Sequence, residues 1–396
     1  MFILTEDQNR AVELACERYY SGYSYTCIAG PAGSGKSSVV RYIIQALGFN
    51  PLEVAYVAYT GKAAQVLKQK GNPNATTAHK LLYKAVPMPN GFFKFKSKGV
   101  LDFPYKMIVV DEISMLPKDL WELLLKHRIY VLALGDPFQL PVIYENQDNH
   151  VLDNPHIFFT EIMRQAQESE IIRLATWIRK GNKLSDYHCD NQDIQIYKKS
   201  ELVTGMYEWA DQILCATNQT RNQLNRTLRQ IKGYDEEPQQ GDRVICLHNY
   251  WEFFDKNGEF PLTNGTTGKI NYYYTEKQRF PNYIIDKPIE YMFAEFETDD
   301  GYIYNMAPID YNLLKDGKTP VTSRIRYLMN KNKKVMDAPF EFDYGYAITT
   351  HKSQGSEYNK VLLFEEGFPY EKEEHARHLY TGITRAVDKL VIIANS

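Results

Sequence analysis

Several absences narrow the class of this chain before any motif is read. No opening basic-plus-apolar segment stands at the start, and no apolar run approaches the ~20 residues that a membrane helix needs. Secretion and membrane spanning are therefore not expected. The five cysteines, Cys16, Cys27, Cys189, Cys215 and Cys246, include no C-x-x-C pair. That excludes a zinc knuckle or ribbon, and the cysteines read as reduced thiols of an intracellular protein. Cys27 and Cys215 fall in strand-like segments and are expected to be buried. Charge of one sign is not in excess: the net charge is -3. That neither demands nor excludes nucleic acid, because a local groove matters more than the total. No fixed-period repeat or long low-complexity tract is found. Hydrophobic residues make up 44% and charged residues 24% of the 396, an ordinary globular composition with length for two or more domains. Tyrosine is abundant, with 30. Aromatics stack on bases, but they also simply pack.

The most specific stretch is YTCIAGPAGSGKSSVV (25–40). An apolar strand ends near Ala29, the loop GPAGSGKS (30–37) follows, and SSVVRYIIQAL reads as a helix. This is G-x-x-x-x-G-K-S in the strand–loop–helix context that the chemistry requires. Its glycines let backbone N–H groups turn toward phosphate, and the helix start adds positive potential. Gly30, Pro31, Ala32, Gly33, Ser34, Gly35, Lys36, Ser37 and Ser38 are thus the candidate nucleotide cradle. Lys36 reaches the outer phosphates and the Ser37 hydroxyl holds Mg2+. In KMIVVDEISM (106–115), the apolar run 107–110 reads as a buried parallel strand. Asp111 and Glu112 follow at its C-terminal end, where open α/β sheets bind ligands. Asp111 is the second candidate Mg2+ residue, acting through water, and Glu112 the candidate to orient or deprotonate the attacking water. Two adjacent acids favour hydrolysis over simple binding. Gln139, after a further strand-like run (130–142), is uncharged and suited to sense γ-phosphate and water. Asp136 sits in a turn, where a structural and a functional role compete. Thr5 and Gln8 are spaced as a capping box, so Gln8 either closes a helix start or reads adenine by its amide.

Apolar strands at 25–29, 54–58, 107–110 and 131–134 alternate with helical patterns, which predicts a doubly wound α/β domain. Residues 83–106 break that rhythm with an aromatic and basic patch of Phe92, Phe93, Lys94, Phe95, Lys96 and Lys98, bounded by Pro and Gly. They read as an inserted hairpin. A second α/β pattern starts after about residue 165. Residues 246–345 carry short strands, many aromatics and Asn-Gly turns, and read as a small β-rich insertion. The α/β pattern then resumes. Here the polar THKSQGSEY (350–358) interrupts two apolar segments, YGYAIT and KVLLFEE.

Taken in order, the landmarks resemble the superfamily 1 DNA helicases, specifically the RecD-like branch and the small phage Dda-type enzymes. They are Gln8, GPAGSGKS (30–37), AYTGKAA (58–64), TTAHKLL (76–82), VVDEISM (109–115), GDPFQLP (135–141), EIMRQ (161–165), THKSQGSE (350–357) and YTGITRA (380–386). The resemblance covers nearly the whole chain and is weakest over 83–106 and 246–345. It implies an α/β fold of two RecA-like P-loop motor domains. One comprises 1–82 and 107–163, and the other 164–245 and 346–396. The 83–106 segment takes the place of the family's strand-separating pin, and 246–345 that of its SH3-like insertion.

The resemblance also implies roles. Gln8 reads adenine. Arg164 and Arg385 look like the arginines that reach the γ-phosphate, and Glu357 like an acid near the nucleotide sugar. Thr60, Lys62, Thr77 and His79 look like DNA contacts, although His79 equally suits packing against the hairpin. THKSQGSE looks like the loop coupling nucleotide state to DNA grip, with His351, Ser353 and Gln354 near phosphates or bases. Gly355 would permit a tight approach. Tyr380 and Thr381 begin the final coupling segment. Phe92 or Phe93 would be the pin tip, unless the two form the hairpin's own core. Trp251, Phe253 and Phe254 pack or meet DNA. The implied activity is a 5′-to-3′ translocase and helicase with ATP and Mg2+ as cofactors. Its partners would be single-stranded DNA and single/double-strand junctions, with replication or recombination proteins and no membrane. A monomeric motor is expected, cytoplasmic and of the phage-encoded kind. The rival readings are a translocase that strips proteins while unwinding little, and an ATP-switched DNA clamp. No RNP strand, KH module or grouped nuclease acids are found.

Overall fold

The computed structural model describes residues 4–87, 93–141, 149–163, 168–189, 191–258, 260–332 and 335–395. They divide into two compact units. One holds the residues up to 83, 97–218 and 349 onward, the other 84–96 and 219–348.

The first unit contains two parallel sheets. The first has six strands, in the order Ala75–Thr77, Val54–Ala58, Met107–Val110, Tyr130–Gly135, Tyr25–Ala29 and Ile157–Phe158. Every neighbouring pair is parallel. The central strands MIVV and YVLALG are buried at every position, as a sheet covered on both faces requires. Helices Glu6–Tyr20 and Lys36–Ala46 cover one face, where Ala11, Ile28, Val39, Ile43 and Leu132 form the core. On the other face, Trp121 and Leu124 from helix Lys118–Lys126 pack with Leu82, Ile108 and Val131. The flanking strands 75–77 and 157–158 are short, and no apolar run announces them.

The second parallel array runs in the order Gln212–Cys215, Tyr358–Phe364, Ala386–Ala394 and Ile194–Lys198. Helices Glu170–Arg179 and Lys372–Ile383 bury Leu174, Ile178, Leu379 and Ile383. Cys27 and Cys215 are both buried in their strands.

The other unit is built on a five-stranded antiparallel sheet. Its order is Ile303–Asp310, Ile289–Thr298, Thr267–Gln278, Arg243–Cys246 and Phe342–Tyr344. Close approach is severe at Gly268, where a Cβ would lie 2.1 Å from the Glu297 carbonyl oxygen. Phe280, Ile284, Ile289, Tyr291, Val321 and Met329 make a separate apolar cluster. Phe253 stacks on Tyr304 and edges onto Phe340, while Phe254 stays exposed. Arg229 pairs with the buried Asp242 at 2.9 Å, and the Tyr346 hydroxyl donates to the same carboxylate. Strands Tyr83–Pro87 and Phe93–Ser97 pair as a two-stranded sheet. Phe92 lies outside the described residues. No helix among the described residues is long and apolar enough to cross a membrane.

Candidate nucleotide and nucleic-acid site

The phosphate loop connects the buried strand Tyr25–Ala29 to the helix that begins at Lys36. Gly33 and Gly35 hold left-handed backbone, φ 77° and 80°. A Cβ at Gly35 would stand 2.5 Å from Gln8 Nε2, so glycine is needed both for conformation and for space. The Lys36 ammonium donates to the carbonyls of Gly30 (2.6 Å) and Pro31 (2.9 Å). Its tip therefore marks the 30–32 end of the loop. Ser34 is buried and donates to Pro31 O at 2.8 Å. Ser37 and Ser38 open the helix, and Ser38 N–H donates to Gly35 O.

Gln8 closes its helix start and lies against the phosphate loop as well. Its Oε1 accepts the Thr5 N–H (3.1 Å), while Thr5 Oγ1 accepts the Gln8 N–H (3.2 Å), a complete capping box. The fully buried side chain also turns Nε2 toward Met163 Sδ at 3.3 Å, beside Gly35.

Asp111 and Glu112 leave the end of strand Met107–Val110. Asp111 Oδ1 accepts the Glu112 N–H at 3.0 Å. Burial, and then the negative Glu112, push the Asp111 carboxyl above the usual carboxylate range, with Lys36 opposing. Glu112 has φ 53°, a left-handed backbone that costs a non-glycine residue energy and fixes its side-chain direction. Gln139 Nε2 donates to Glu112 Oε1 at 3.4 Å, and the buried Gln139 Oε1 has no partner among the described residues. These residues fit a Mg2+–triphosphate. Mg2+ needs only one or two carboxylates beside a hydroxyl, phosphates and water, and Ser37 and Asp111 would supply the protein's share. The acceptor left over on Gln139 is suited to a water or phosphate-bound proton donor. Among the described residues, no group of three or more His, Cys, Asp or Glu forms an all-protein metal site.

Asp136 has both structural and site contacts. Oδ1 accepts the Phe138 N–H (3.0 Å), closing the turn, and Oδ2 accepts the Tyr380 hydroxyl (2.6 Å). The same Tyr380 oxygen accepts the Ala32 N–H at 2.8 Å. Nearby, Leu140 is held from both sides. Its N–H donates to Thr381 Oγ1 (3.0 Å) and its carbonyl accepts Gln354 Nε2 (2.8 Å), both contacts buried. Three side chains carried by the segments of the second sheet thus grip the phosphate loop and the 136–140 turn of the first. The sequence marks 380–381 only as the start of a coupling segment. The signal that could have singled them out is the run of hydroxyls in YTGIT, since each hydroxyl buried on a helix requires a partner.

The remaining candidates are distributed as follows. Arg385 is buried, and its guanidinium donates to Thr381 O, Ser356 O and Thr384 Oγ1, not to the phosphate loop. Arg164 lies outside the described residues. Glu357 is exposed, with the Lys70 ammonium 3.8 Å away. Thr60 and Thr77 cap helices, accepting the N–H groups of Ala63 and Lys80 at 3.2 Å each. The Lys62 ammonium sits 5.3 Å above the Tyr358 ring. His79 lies between Tyr59 and Tyr83, 6.1 and 6.0 Å away, and burial lowers its pKa. His351 is 6.1 Å from His378, and burial lowers its pKa too. Ser353 is fully buried and donates to Thr350 O, so its hydroxyl is used internally. Gly355 (φ 74°) brings the 350–357 segment against the helix Gly61–Gln69, where a Cβ would meet Ala63 Cβ at 2.9 Å. Phe93 opens a hairpin strand.

Two family models match: an AAA domain over residues 3–206, more than half of the chain, and a UvrD-like helicase C-terminal domain over 344–393. The ATP-dependent RecD2 DNA helicase of Deinococcus radiodurans is 26% identical over 398 residues. That alignment takes in 93% of this chain but only 47% of the relative, so the chain spans about half of its length. The ATP-dependent DNA helicase dda of Enterobacteria phage T4 is 23% identical, with 96% and 97% of the two chains covered. Among solved structures, a Pif1 helicase described with DNA unwinding at forked duplex has a TM-score of 0.57 at 18% identity, covering 99% of this chain and 92% of the other. The Bacteroides Pif1 complex with ADP-AlF3 and single-stranded DNA has a TM-score of 0.54, also at 18% identity, and the same coverage.

Proposed function

We propose that this chain, which belongs to the AAA-domain family, is an ATP-dependent DNA helicase of superfamily 1, of the RecD-like and Dda-type branch. We propose further that it moves 5′ to 3′ along single-stranded DNA. The direction rests on the resemblance to the RecD-like and Dda-type enzymes, and the observation that supports a coupled ATP-driven motor is the double grip on Leu140, together with the Tyr380 contacts to Ala32 and Asp136. Such contacts let events at a phosphate loop reach the segments proposed to hold DNA.

In this reading Lys36 neutralises the outer phosphates, and Ser37 and Asp111 would hold Mg2+, which when bound would add charge neutralisation on the phosphates. Glu112 accepts a proton from the attacking water, and Gln139, already paired with Glu112, orients that water. Gln8 reads adenine and Glu357 lies toward the sugar. Arg385 and Arg164 complete the cluster from the second motor domain, Arg385 by exchanging its present carbonyl partners for phosphate. Thr60, Lys62, Thr77, His79 and His351 face the DNA. Hydrolysis and product release loosen the contacts between the sheets, and alternating grips convert that cycle into motion. The proposed division keeps 1–82 with 107–163 and 164–245 with 346–396 as the motor domains. It makes 83–106 the pin and 246–345 the SH3-like insertion. Support comes from the paired strands of 83–97 and the antiparallel sheet within 243–344.

The test uses duplexes bearing a single-stranded tail of one polarity. The expected outcome is ATP-dependent separation from a 5′ tail only. Equal activity on both tails would overturn the direction. Movement that displaces a bound protein but leaves the duplex closed would select the stripping translocase. DNA binding switched by ATP without DNA-stimulated hydrolysis would select the clamp.

A further inference from the structure

We propose that Tyr380 is a positioning residue for triphosphate recognition. Its hydroxyl holds the outer end of the phosphate loop and Asp136 in one hydrogen-bonded chain. The inference rests on the ATP-site reading above and deepens it.

The chain of contacts has a defined direction. Ala32 N–H donates to the Tyr380 oxygen at 2.8 Å, and the Tyr380 O–H donates to Asp136 Oδ2 at 2.6 Å. Tyr380 is almost completely buried, at 1% exposure, and so is Asp136. The Asp136 end therefore depends on this one hydroxyl, because water does not reach it to replace it, while Ala32, at the other end, is half-buried. Asp136 Oδ1 is already engaged by Phe138 N–H, which fixes the carboxylate plane. The Phe138 ring lies 6.3 Å from the Tyr380 ring, and the Arg179 guanidinium is 5.0 Å above Phe138 on its own account. The tyrosine is thus held by ring packing, and its oxygen is left to act on polar partners.

The position in the loop sets the function. The Lys36 ammonium rests on the Gly30 and Pro31 carbonyls, so residues 30–32 form the end of the cradle facing the outer phosphate. Pro31 has no N–H, and the Gly30 N–H already donates to Gly135 O at 3.1 Å, so the Ala32 N–H is the one there that the Tyr380 hydroxyl orients. A diphosphate has no group at this end and gains little from its order. A triphosphate does. Tyr380 also heads the segment that carries Thr381, which holds Leu140, and Arg385. The hydroxyl therefore sets the loop shape and the registry of that segment together.

The test is Tyr380→Phe in the full chain, titrated with ADP and with a non-hydrolysable ATP analogue in the presence of Mg2+. The expected result is about tenfold weaker binding of the triphosphate, equivalent to about 1.4 kcal/mol. ADP affinity should stay within about twofold, and the thermal midpoint should fall by only a few degrees, because Asp136 loses one buried donor. Asp136→Asn approaches the same chain from the other end and should show the same selective loss. The double variant should be no worse than the weaker single one. A parallel loss of ADP and ATP affinity, or parent-like values for both, would overturn the proposal. Should Tyr380→Phe fail to fold, the Asp136→Asn titration decides it by the same criterion. A parent that binds neither nucleotide would instead overturn the ATP-site reading itself.

Discussion

Glu112 occupies a left-handed backbone conformation that a glycine would take without strain, yet it carries a carboxylate at the end of a buried strand. The cost of such a conformation is of order 1–3 kcal/mol. It is met because Ile113, fully buried, anchors the next residue and Gly135 leaves room for it, with a Cβ there only 2.6 Å from Ile113 Cγ2. The carboxylate is thereby aimed at Gln139 and away from the turn that follows. Glu112→Gln keeps this shape and most of the hydrogen bonding but cannot accept a proton as a carboxylate does. Loss of a positioned general base typically costs about 10²–10⁴-fold. We expect ATP affinity within about threefold of the parent and a single-turnover hydrolysis rate lower by that range. Nucleotide titration paired with rapid-quench hydrolysis checks both. Weak ATP binding with a normal chemical step would reverse the role assigned to Glu112.

At the scale of elements, what can be read in the sequence depends on how locally each feature is encoded. Central strands such as Met107–Val110 and Tyr130–Gly135 are buried on both faces, so they stand out as unbroken apolar runs. The phosphate loop is legible because its chemistry is packed into eight successive residues. Strands 75–77 and 157–158 are too short to make a run, and their identity comes from pairing with a neighbour. The Tyr380, Thr381 and Gln354 contacts join residues far apart in the chain, and no local pattern encodes such partners. Gly355 lies between these cases. Its type signals a close approach, and the structure supplies the partner, helix Gly61–Gln69. Gly355→Ala should be destabilising for two separable reasons. A left-handed backbone costs an L-residue roughly 1–2 kcal/mol, and the new methyl would overlap Ala63 Cβ. We expect a loss of about 1–3 kcal/mol in denaturant unfolding, with DNA-stimulated ATPase falling more than the basal rate. Measured against the Ala63→Gly single variant, which itself loses about 1 kcal/mol of helix propensity, the double variant should recover the space but not the backbone cost of Gly355→Ala, and so only part of the stability. Full recovery would show that φ at 355 carries no strain, and no recovery that the steric overlap carries none.

For the molecule as a whole, the central question is whether nucleotide and DNA communicate, and linkage makes the answer measurable from either side. If an ATP analogue changes the affinity for single-stranded DNA by some factor, DNA must change the affinity for the analogue by the same factor. Couplings of this kind run to about 1–3 kcal/mol, or roughly 5–150-fold. Gln354 is the residue on which two accounts of this coupling divide. Its sequence context makes it a DNA contact. Its geometry makes it a link, because it is 5% exposed and its amide donates to Leu140 O at 2.8 Å in the turn that also holds Asp136 and Gln139. Gln354→Ala leaves the Leu140 carbonyl short of a donor and frees one side of that turn. If Gln354 is a link, DNA affinity without nucleotide and analogue affinity without DNA should each stay within about threefold of the parent. The coupling factor should then fall toward one, equally from both directions. If it is a DNA contact, DNA affinity alone should drop while the factor survives. Fluorescence titration of a labelled oligonucleotide with and without analogue, and of labelled analogue with and without DNA, measures all four affinities. An unchanged factor with weakened DNA binding would remove Gln354 from the link. Transmission between the sheets would then rest on other contacts that join them, among them Thr381 at the Leu140 N–H and Tyr380 at the phosphate loop.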